Sequence, residues 1–547
     1  MRRATVRDGA ARFAQALLAL AISLGSSGHA CAQDAQDTSA LVPRFAIQRF
    51  EVTGNTLLPA AELARAVSPF TGAAREMPDV QRAVEALTEA YRERGYTMVR
   101  VTVPEQDITG GVVRLQVQQG RIGKVTVEKN THFDTANVRA SLPSIREGEA
   151  PNAMEVARNL HLLNEHPVKQ TNVQWQHGKT EGDIDVAVSV ADAKPWRVIL
   201  TLDDTGTSET GYLRSGVALQ HSNLFNRDHT ASLQYITSST QPNKVSIYGA
   251  GYRIPFYEWN SSLDLFAGYS DVSSGTVQGL FNVSGSGTIF GARWNHHLPK
   301  WGPVEQKVSA GIDYRAFKNN VTLQGQALVP DITVHPVSLT YNGAVRNEHA
   351  SLTFYAGASA NIPGGNDGTQ ADFGGPKAGF PNGSRANATA SYTILRYGFN
   401  ASQSFTGDWQ ARVGFTGQYT KDALVSGEQF GLGGPDSVRG YLLREVSNDQ
   451  GYSTQLEALT PDLAKTVGLP EDFRLRATAF YDFGSVSRNK ALPGEQRGKF
   501  IASTGLGIRM NYSKSISLRM DVAQILKAAG TRQVGDQRVN FSAAFIF

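Results

Sequence analysis

The sequence predicts two small α+β modules followed by an antiparallel transmembrane β-barrel, about 16-stranded. Three observations point there. An order of strand, two helices and two strands starts at Phe45 and recurs from Ile122. From Trp196 to Phe547, segments of about ten residues alternate apolar and polar side chains, as barrel strands do. The gaps between those segments alternate between short and long.

Composition narrows the classes. The chain has 547 residues, a net charge of +4 and one cysteine. That balance implies no nucleic-acid partner, and a lone cysteine suits neither a disulfide framework nor a Cys-ligated metal. Mean hydropathy is −0.28, too polar for a helical membrane protein. The N-terminus reads as a secretory signal over residues 1–32. Arg2, Arg3 and Arg7 form the basic region, Phe13 to Leu24 the apolar core, and Ala30-Cys31-Ala32 an A-x-A cleavage site. A lipoprotein signal on Cys31 is the rival reading. A short segment, residues 33–44, then leads into the first module.

The first module, residues 45–120, opens with an alternating strand from Phe45 to Val52 and a Gly54-Asn55 turn. Pro59 opens a short helix through Val67. Asp79 caps a longer one, with Val80, Val84, Leu87 and Tyr91 on one face and Gly95 at its end. Thr97 to Val103 and Val112 to Val117 are strands joined at Gly110-Gly111. The second module, residues 121–194, repeats the order. Its strands are Ile122 to Glu128, Gln170 to Gln176 and Ile184 to Val190; its helices are Asp134 to Ala140 and Pro151 to Leu163. Each three-stranded sheet leaves an edge strand open. Such an edge accepts an extended guest chain through backbone hydrogen bonds, but a plain spacer fits the pattern equally well.

Residues 195–547 form the barrel. In Ser515 to Val522, Ile516, Leu518, Met520 and Val522 share one face, and Ser517, Arg519 and Asp521 the other. Periodicity alone does not separate a membrane barrel from a soluble sandwich. The barrel is favoured because the polar face mixes small and charged residues. Aromatics also sit near strand ends, at Tyr314, Phe317, Tyr481, Phe483 and Tyr512. Short turns near Asn223, Tyr257, Trp301, Asn347, Gly407 and Ser513, and a longer one near Asp462, alternate with longer loops near Ser273, Asn320, Gly365, Gly434, Asn489 and Gly530 and two short ones near Gly206 and Gln241. An even strand count puts both barrel ends, and the two modules, on the periplasmic side.

One long stretch without strand pattern, residues 421–450, contains Leu432-Gly-Gly-Pro-Asp-Ser-Val438-Arg439-Gly440-Tyr441. Folded double, arms of about 15 residues reach ~50 Å at ~3.3 Å per residue, against an apolar band only about 25 Å tall. The tip therefore reaches deep into the lumen. There it meets the strand Arg474 to Gly484, whose inward face carries Phe480 and Asp482. Asp482 is placed to hold Arg439 in a bidentate pair; two water-facing lumen charges are the alternative.

Val438-Arg439-Gly440-Tyr441 matches the VRGY loop motif of outer-membrane assembly and secretion barrels. Phe480-Tyr481-Asp482-Phe483-Gly484 matches their F-x-D-x-G strand motif. Gly95-Tyr96, Val103-Pro104-Glu105-Gln106 and Gly111 to Gly120 look like a first POTRA domain. With two such modules ahead of the barrel, the mature chain resembles the two-partner secretion transporters of the haemolysin secretion/activation (ShlB/FhaC/HecB-like) family. The resemblance implies two POTRA-like domains in the periplasm and a barrel in the bacterial outer membrane. It further implies passage of a large, unfolded secreted exoprotein, captured on an edge strand within residues 45–194. The residues it marks as a loop–barrel latch are Val438, Arg439, Gly440, Tyr441, Phe480, Asp482 and Gly484.

Residues 33–44 are too short for the plug helix and linker of several family members, which leaves open how the resting pore is closed; the folded-in loop would have to do more of it. A barrel-assembly factor shares both motifs but carries more modules, and a passive porin leaves the modules unexplained. An enzyme is not expected: no Ser/His/Asp set is visible. Asp203-Asp204 reads as a strand end, His296-His297 as lying near a periplasmic turn, and Gly364 to Gly368 as a plain turn. The expectation is a monomer in outer-membrane lipid, with no cofactor, no metal and no catalytic residue.

Overall fold

A computed structural model describes residues 44–547, apart from 109, 181, 272–274, 278–280, 284–285, 319–321, 324–325 and 328. The expected signal segment and residues 33–43 lie outside the described residues, as do the loop centres at Ser273 and Asn320.

In the first module the strand Val112–Gln119 is central. It pairs in parallel with Arg49–Thr53 and antiparallel with Val99–Thr102. Val113, Leu115 and Val117 alternate inward and meet Val80, Ala83, Leu87 and Tyr91 of the helix Met77–Glu93. Two details differ from the sequence reading. The first strand breaks at Gln48, because the Gln48 and Arg49 amides both donate to the Gly111 carbonyl. The detached Phe45–Ile47 turns away to pair with Gly72–Arg75. The long helix is capped by Glu76, not Asp79. Asp79 sits at the third helical position, where its carboxylate accepts the Glu76 amide at 2.9 Å and closes a capping box.

The second module has the same plan: Asp183–Asp192 is central, between Arg121–Glu128 and Lys169–His177. Asn152 joins the modules. It caps the helix Ala153–Leu163 and donates from Nδ2 to the Arg94 carbonyl at 2.9 Å. Gly95, with φ +90°, leaves it room; a Cβ there would lie 2.2 Å from Asn152 Oδ1.

The barrel is closed. Its sixteenth strand, Gln537–Ile546, returns to pair with the first, Trp196–Asp203, from Ser542↔Asp203 to Ile546↔Ile199. Ile332–Val334 and Pro336–Arg346 form one strand interrupted at His335. The apolar face is outermost. Leu506 is 68% and Leu339 59% exposed, whereas Asp482 and Ser503 on the other face are fully buried. A dry sandwich would reverse that pattern. Phe317 lies next to its strand end as expected, and it faces inward. It lies in the inward phase with Asp313 and Arg315, against Gly427 of the long loop, because the loop supplies an apolar surface inside the wall.

The second module docks on the short-turn end of the barrel. Asn159 Nδ2 donates to the Tyr257 carbonyl at 2.8 Å, and His166 Nε2 meets the Ser222 carbonyl at 2.6 Å. The modules and both barrel ends thus share one side of the membrane, the periplasmic one.

Candidate functional site

The long loop connects the strands Gln410–Tyr419 and Gln450–Leu459. It doubles back inside the wall, where Phe430–Leu432 pairs antiparallel with Val446–Asn448. Charges hold it at successive depths. At its base, buried Asp449 accepts the amides of Leu424 at 2.8 Å and Asn489 at 2.7 Å, and Arg385 Nη2 at 2.9 Å. Halfway, buried Glu428 accepts Arg315 at 2.8 Å and Arg396 at 3.2 Å, from strands three apart in the wall.

At the tip, Arg439 and Asp482 meet as the two motifs suggested. Arg439 Nε donates to Asp482 Oδ2 at 2.6 Å and Nη2 to Oδ1 at 2.7 Å. The Arg439 amide adds a third bond to Oδ2, at 3.1 Å. Both side chains are fully buried. Nη1 is taken by Glu457 at 2.6 Å, and the Phe480 ring centre lies 3.6 Å from the guanidinium carbon. Arg509 bridges Glu457 and Asp521, and Arg519 donates to Asp521 at 2.8 Å. Three guanidiniums therefore face Glu457, Asp482 and Asp521, and exposed Asp436 lies 3.7 Å from Arg519 at the rim of the cluster. A buried charge stripped of its partner costs about 3–5 kcal/mol, so the tip has one strongly preferred seat.

The remaining motif residues shape that seat. A Cβ on Gly484 would lie 2.8 Å from Leu432 Cδ2 and 2.6 Å from the Tyr452 carbonyl oxygen, so only glycine admits the loop here. Gly440, at φ +90°, turns its amide onto Asn540 Oδ1 at 3.1 Å. Tyr441 is fully buried and donates its hydroxyl to the Ala502 carbonyl at 3.1 Å. Val438 packs with Leu432, Ile501 and Ile525 in an apolar cluster around the tip.

All seven residues marked in the sequence thus converge. Sequence reasoning missed Glu457, Asp521, Arg509 and Asn540 as members, and Glu428 and Asp449 as anchors. Strand phase already faces Asp521 inward; which strand it neighbours depends on barrel shear, which no local pattern carries. Beside the loop the lumen keeps a cavity of ≈ 840 Å³, lined by Arg315, Arg396, Arg519, Glu428 and Asp521 among others. The lining is mixed: these charges stand among apolar side chains such as Ile236, Ile289, Phe317 and Phe430. Asp203-Asp204, set aside as a strand end, closes the barrel seam: Asp204 accepts the Phe541 amide at 3.0 Å. The Gly364–Gly368 stretch is a turn, with the Gly364 amide donating to the Gly368 carbonyl.

Comparison with known proteins agrees with this geometry. Residues 182–510 match the model of the haemolysin secretion/activation protein ShlB/FhaC/HecB, and residues 45–120 match the ShlB-type POTRA domain. The outer membrane transporter CdiB of Dickeya dadantii (strain 3937) is 24% identical over 424 residues, 75% of this chain and 71% of the relative. The heme/hemopexin transporter protein HuxB of Haemophilus influenzae (strain ATCC 51907 / DSM 11121 / KW20 / Rd) is 21% identical over 497 residues, covering 85% and 80%. In fold, the solved CdiB from Escherichia coli superposes over 100% of both chains with a TM-score of 0.73 at 19% identity. With a POTRA domain, a closed barrel and a family model that spans more than half its length, this chain belongs to the haemolysin secretion/activation protein ShlB/FhaC/HecB family, outer-membrane transporters of two-partner secretion.

Proposed function

We propose that this transporter secretes one large exoprotein, captured unfolded on the second module and passed through the barrel under control of the Arg439 tip. The bidentate Arg439–Asp482 pair carries this reading. A hairpin that only lined a pore would not need a buried charge cluster. Held in, the hairpin occupies part of the lumen; an extended chain shares the remaining cavity or displaces the tip.

The capture site we assign is the outer half of Lys169–His177. Its outer edge pairs with no other strand among the described residues. Asn164 occupies the start of that edge, accepting the Thr171 amide at 2.7 Å and donating to its carbonyl at 2.9 Å. By the two-residue strand period, the backbone groups of Val173 and Trp175 also face outward. The competing edges are poorer: Val99–Thr102 is four and Arg49–Thr53 five residues long, and Arg121–Glu128 is crossed by Gly148 and Glu149. A guest strand adding there gains main-chain hydrogen bonds without reading its sequence closely. The periplasm holds no ATP, so folding of the exoprotein outside would draw the chain through.

The test is Arg439→Ala in cells carrying the exoprotein. Secretion is expected to fall at least tenfold, while barrel abundance and heat-modifiable gel migration stay normal. Undiminished secretion at normal abundance would remove the tip from the mechanism. Val173→Pro deletes one outward amide and no sheet bond; it is expected to weaken exoprotein capture in a pull-down with purified transporter.

A further inference from the structure

We propose that the junction between the second module and the barrel holds a zinc-class divalent cation, ligated by His161, Glu165 and His297. Nothing in the transport reading requires it. His161 and Glu165 lie four residues apart at the C-terminal end of the helix Ala153–Leu163, on the module side. His297 comes from the barrel strand Ser286–Trp301. One donor atom from each lies within 4.8 Å of the others.

His297 is the observation that points to a ligand. It is fully buried, yet neither ring nitrogen has a hydrogen-bond partner. Buried polar side chains are nearly always satisfied. Each ring nitrogen of an imidazole is a possible metal donor, and neither of these is engaged. Its ring stands edge-on to that of His161, with centroids 4.9 Å apart, and its Nε2 lies 3.7 Å from Glu165 Oε1.

Two imidazoles and a carboxylate are the donor set of zinc sites with bonds of about 2.0–2.2 Å. Closing from the present spacing requires movement only of His161 and Glu165, both about one-quarter exposed, towards the fixed His297. Neighbouring charges allow it. Lys307, 3.1 Å from Glu165 Oε1, is partly exposed and can swing into water. Arg253, 3.4 Å from Glu165 Oε2, keeps its bidentate partner Asp264. Glu305 Oε2, 3.6 Å from His161 Nδ1, adds a further carboxylate beside the site. An ion here would tie the module to the barrel rim.

The test uses the untagged full-length protein in detergent, stripped with EDTA and titrated with Zn²⁺ by calorimetry. One Zn²⁺ per chain is expected, with affinity reduced at least tenfold in H161Q and in H297F, which fills the buried space without a nitrogen. Zn²⁺ is also expected to slow proteolysis between the second module and the barrel at least threefold in the parent and not in H161Q. Absence of stoichiometric binding in the parent would overturn the proposal. So would binding that persists in both folded variants, judged by heat-modifiable migration.

Discussion

Lys169 Nζ lies 2.5 Å from Asp228 Oδ2, and both side chains are completely buried. The pair spans the joint between the second module and a barrel turn. Its polar shell is complete: Lys169 also donates to Asn137 Oδ1 at 2.8 Å and Ser141 Oγ at 3.2 Å, while Tyr257 donates to Asp228 at 2.7 Å. Burial alone would raise the Asp228 pKa, but the Lys169 ammonium, His166 and the hydrogen bonds from Lys169 and Tyr257 together outweigh it and hold the carboxyl below its ordinary value. Lys169→Met therefore strands a buried carboxylate, at about 3–5 kcal/mol. The module should undock, read as faster amide exchange in residues 135–142 and 222–228. A K169M/D228L double variant should recover much of that protection, since an apolar pair of similar size tolerates the site. Exchange in K169M as slow as in the parent would mean that the docking rests elsewhere.

His166 makes the same joint sensitive to mild acid. Burial lowers its pKa from the usual 6.5, only partly offset by Asp228 and the Ser222 carbonyl. The sign follows from linkage. Below about pH 6.5 the unfolded or undocked form takes up a proton that the docked form resists, so stability is lost as pH falls towards the lowered value. Above pH 7 the group contributes no slope. Proteolysis at the module–barrel junction should accelerate between pH 7 and pH 5.5. His166→Gln, which can still donate to Ser222, should flatten that profile.

Arg439→Lys separates charge from geometry. Lysine keeps the positive charge but cannot bond Asp482 through two nitrogens while reaching Glu457 and stacking on Phe480. R439K should therefore secrete nearer to R439A than to the parent. Secretion at parental level by R439K would reduce the requirement to a positive charge.

Much of the architecture was legible because lipid and lumen impose a two-residue period. Ile516, Leu518 and Met520 could be assigned outward from the chain alone. Arg439 and Asp482 were legible through motifs that name both partners. Glu428 was not: its partners Arg315 and Arg396 lie 113 and 32 residues away, on wall strands three apart that both meet the loop only once it folds inward. The break at Gln48 escaped for a related reason. The residues around it alternate as one strand, and only the Gly111 carbonyl, 63 residues later, splits them. The inward face of Phe317 was not legible, because an inward aromatic needs the loop to cover it.

Asn540 connects the loop tip to the barrel seam, and its removal tests whether the two act together. Its Oδ1 accepts the Gly440 amide at 3.1 Å, and its Nδ2 donates to Asp204 Oδ2 at 3.1 Å. Asp204 in turn caps the end of the ladder between the last strand and the first. Asn540→Ala leaves the Gly440 amide unpaired in a dry site, worth about 1–3 kcal/mol, and removes one of the bonds at the seam. The unfolding temperature on heat-modifiable gels should fall, and secretion should change with it. A disulfide between cysteines at Leu202 and Ala543, which are register partners across the seam, should restore the temperature. If secretion returns too, the tip acts by holding the seam. If only the temperature returns, the tip acts through the lumen, as the Arg439–Asp482 pair leads us to expect.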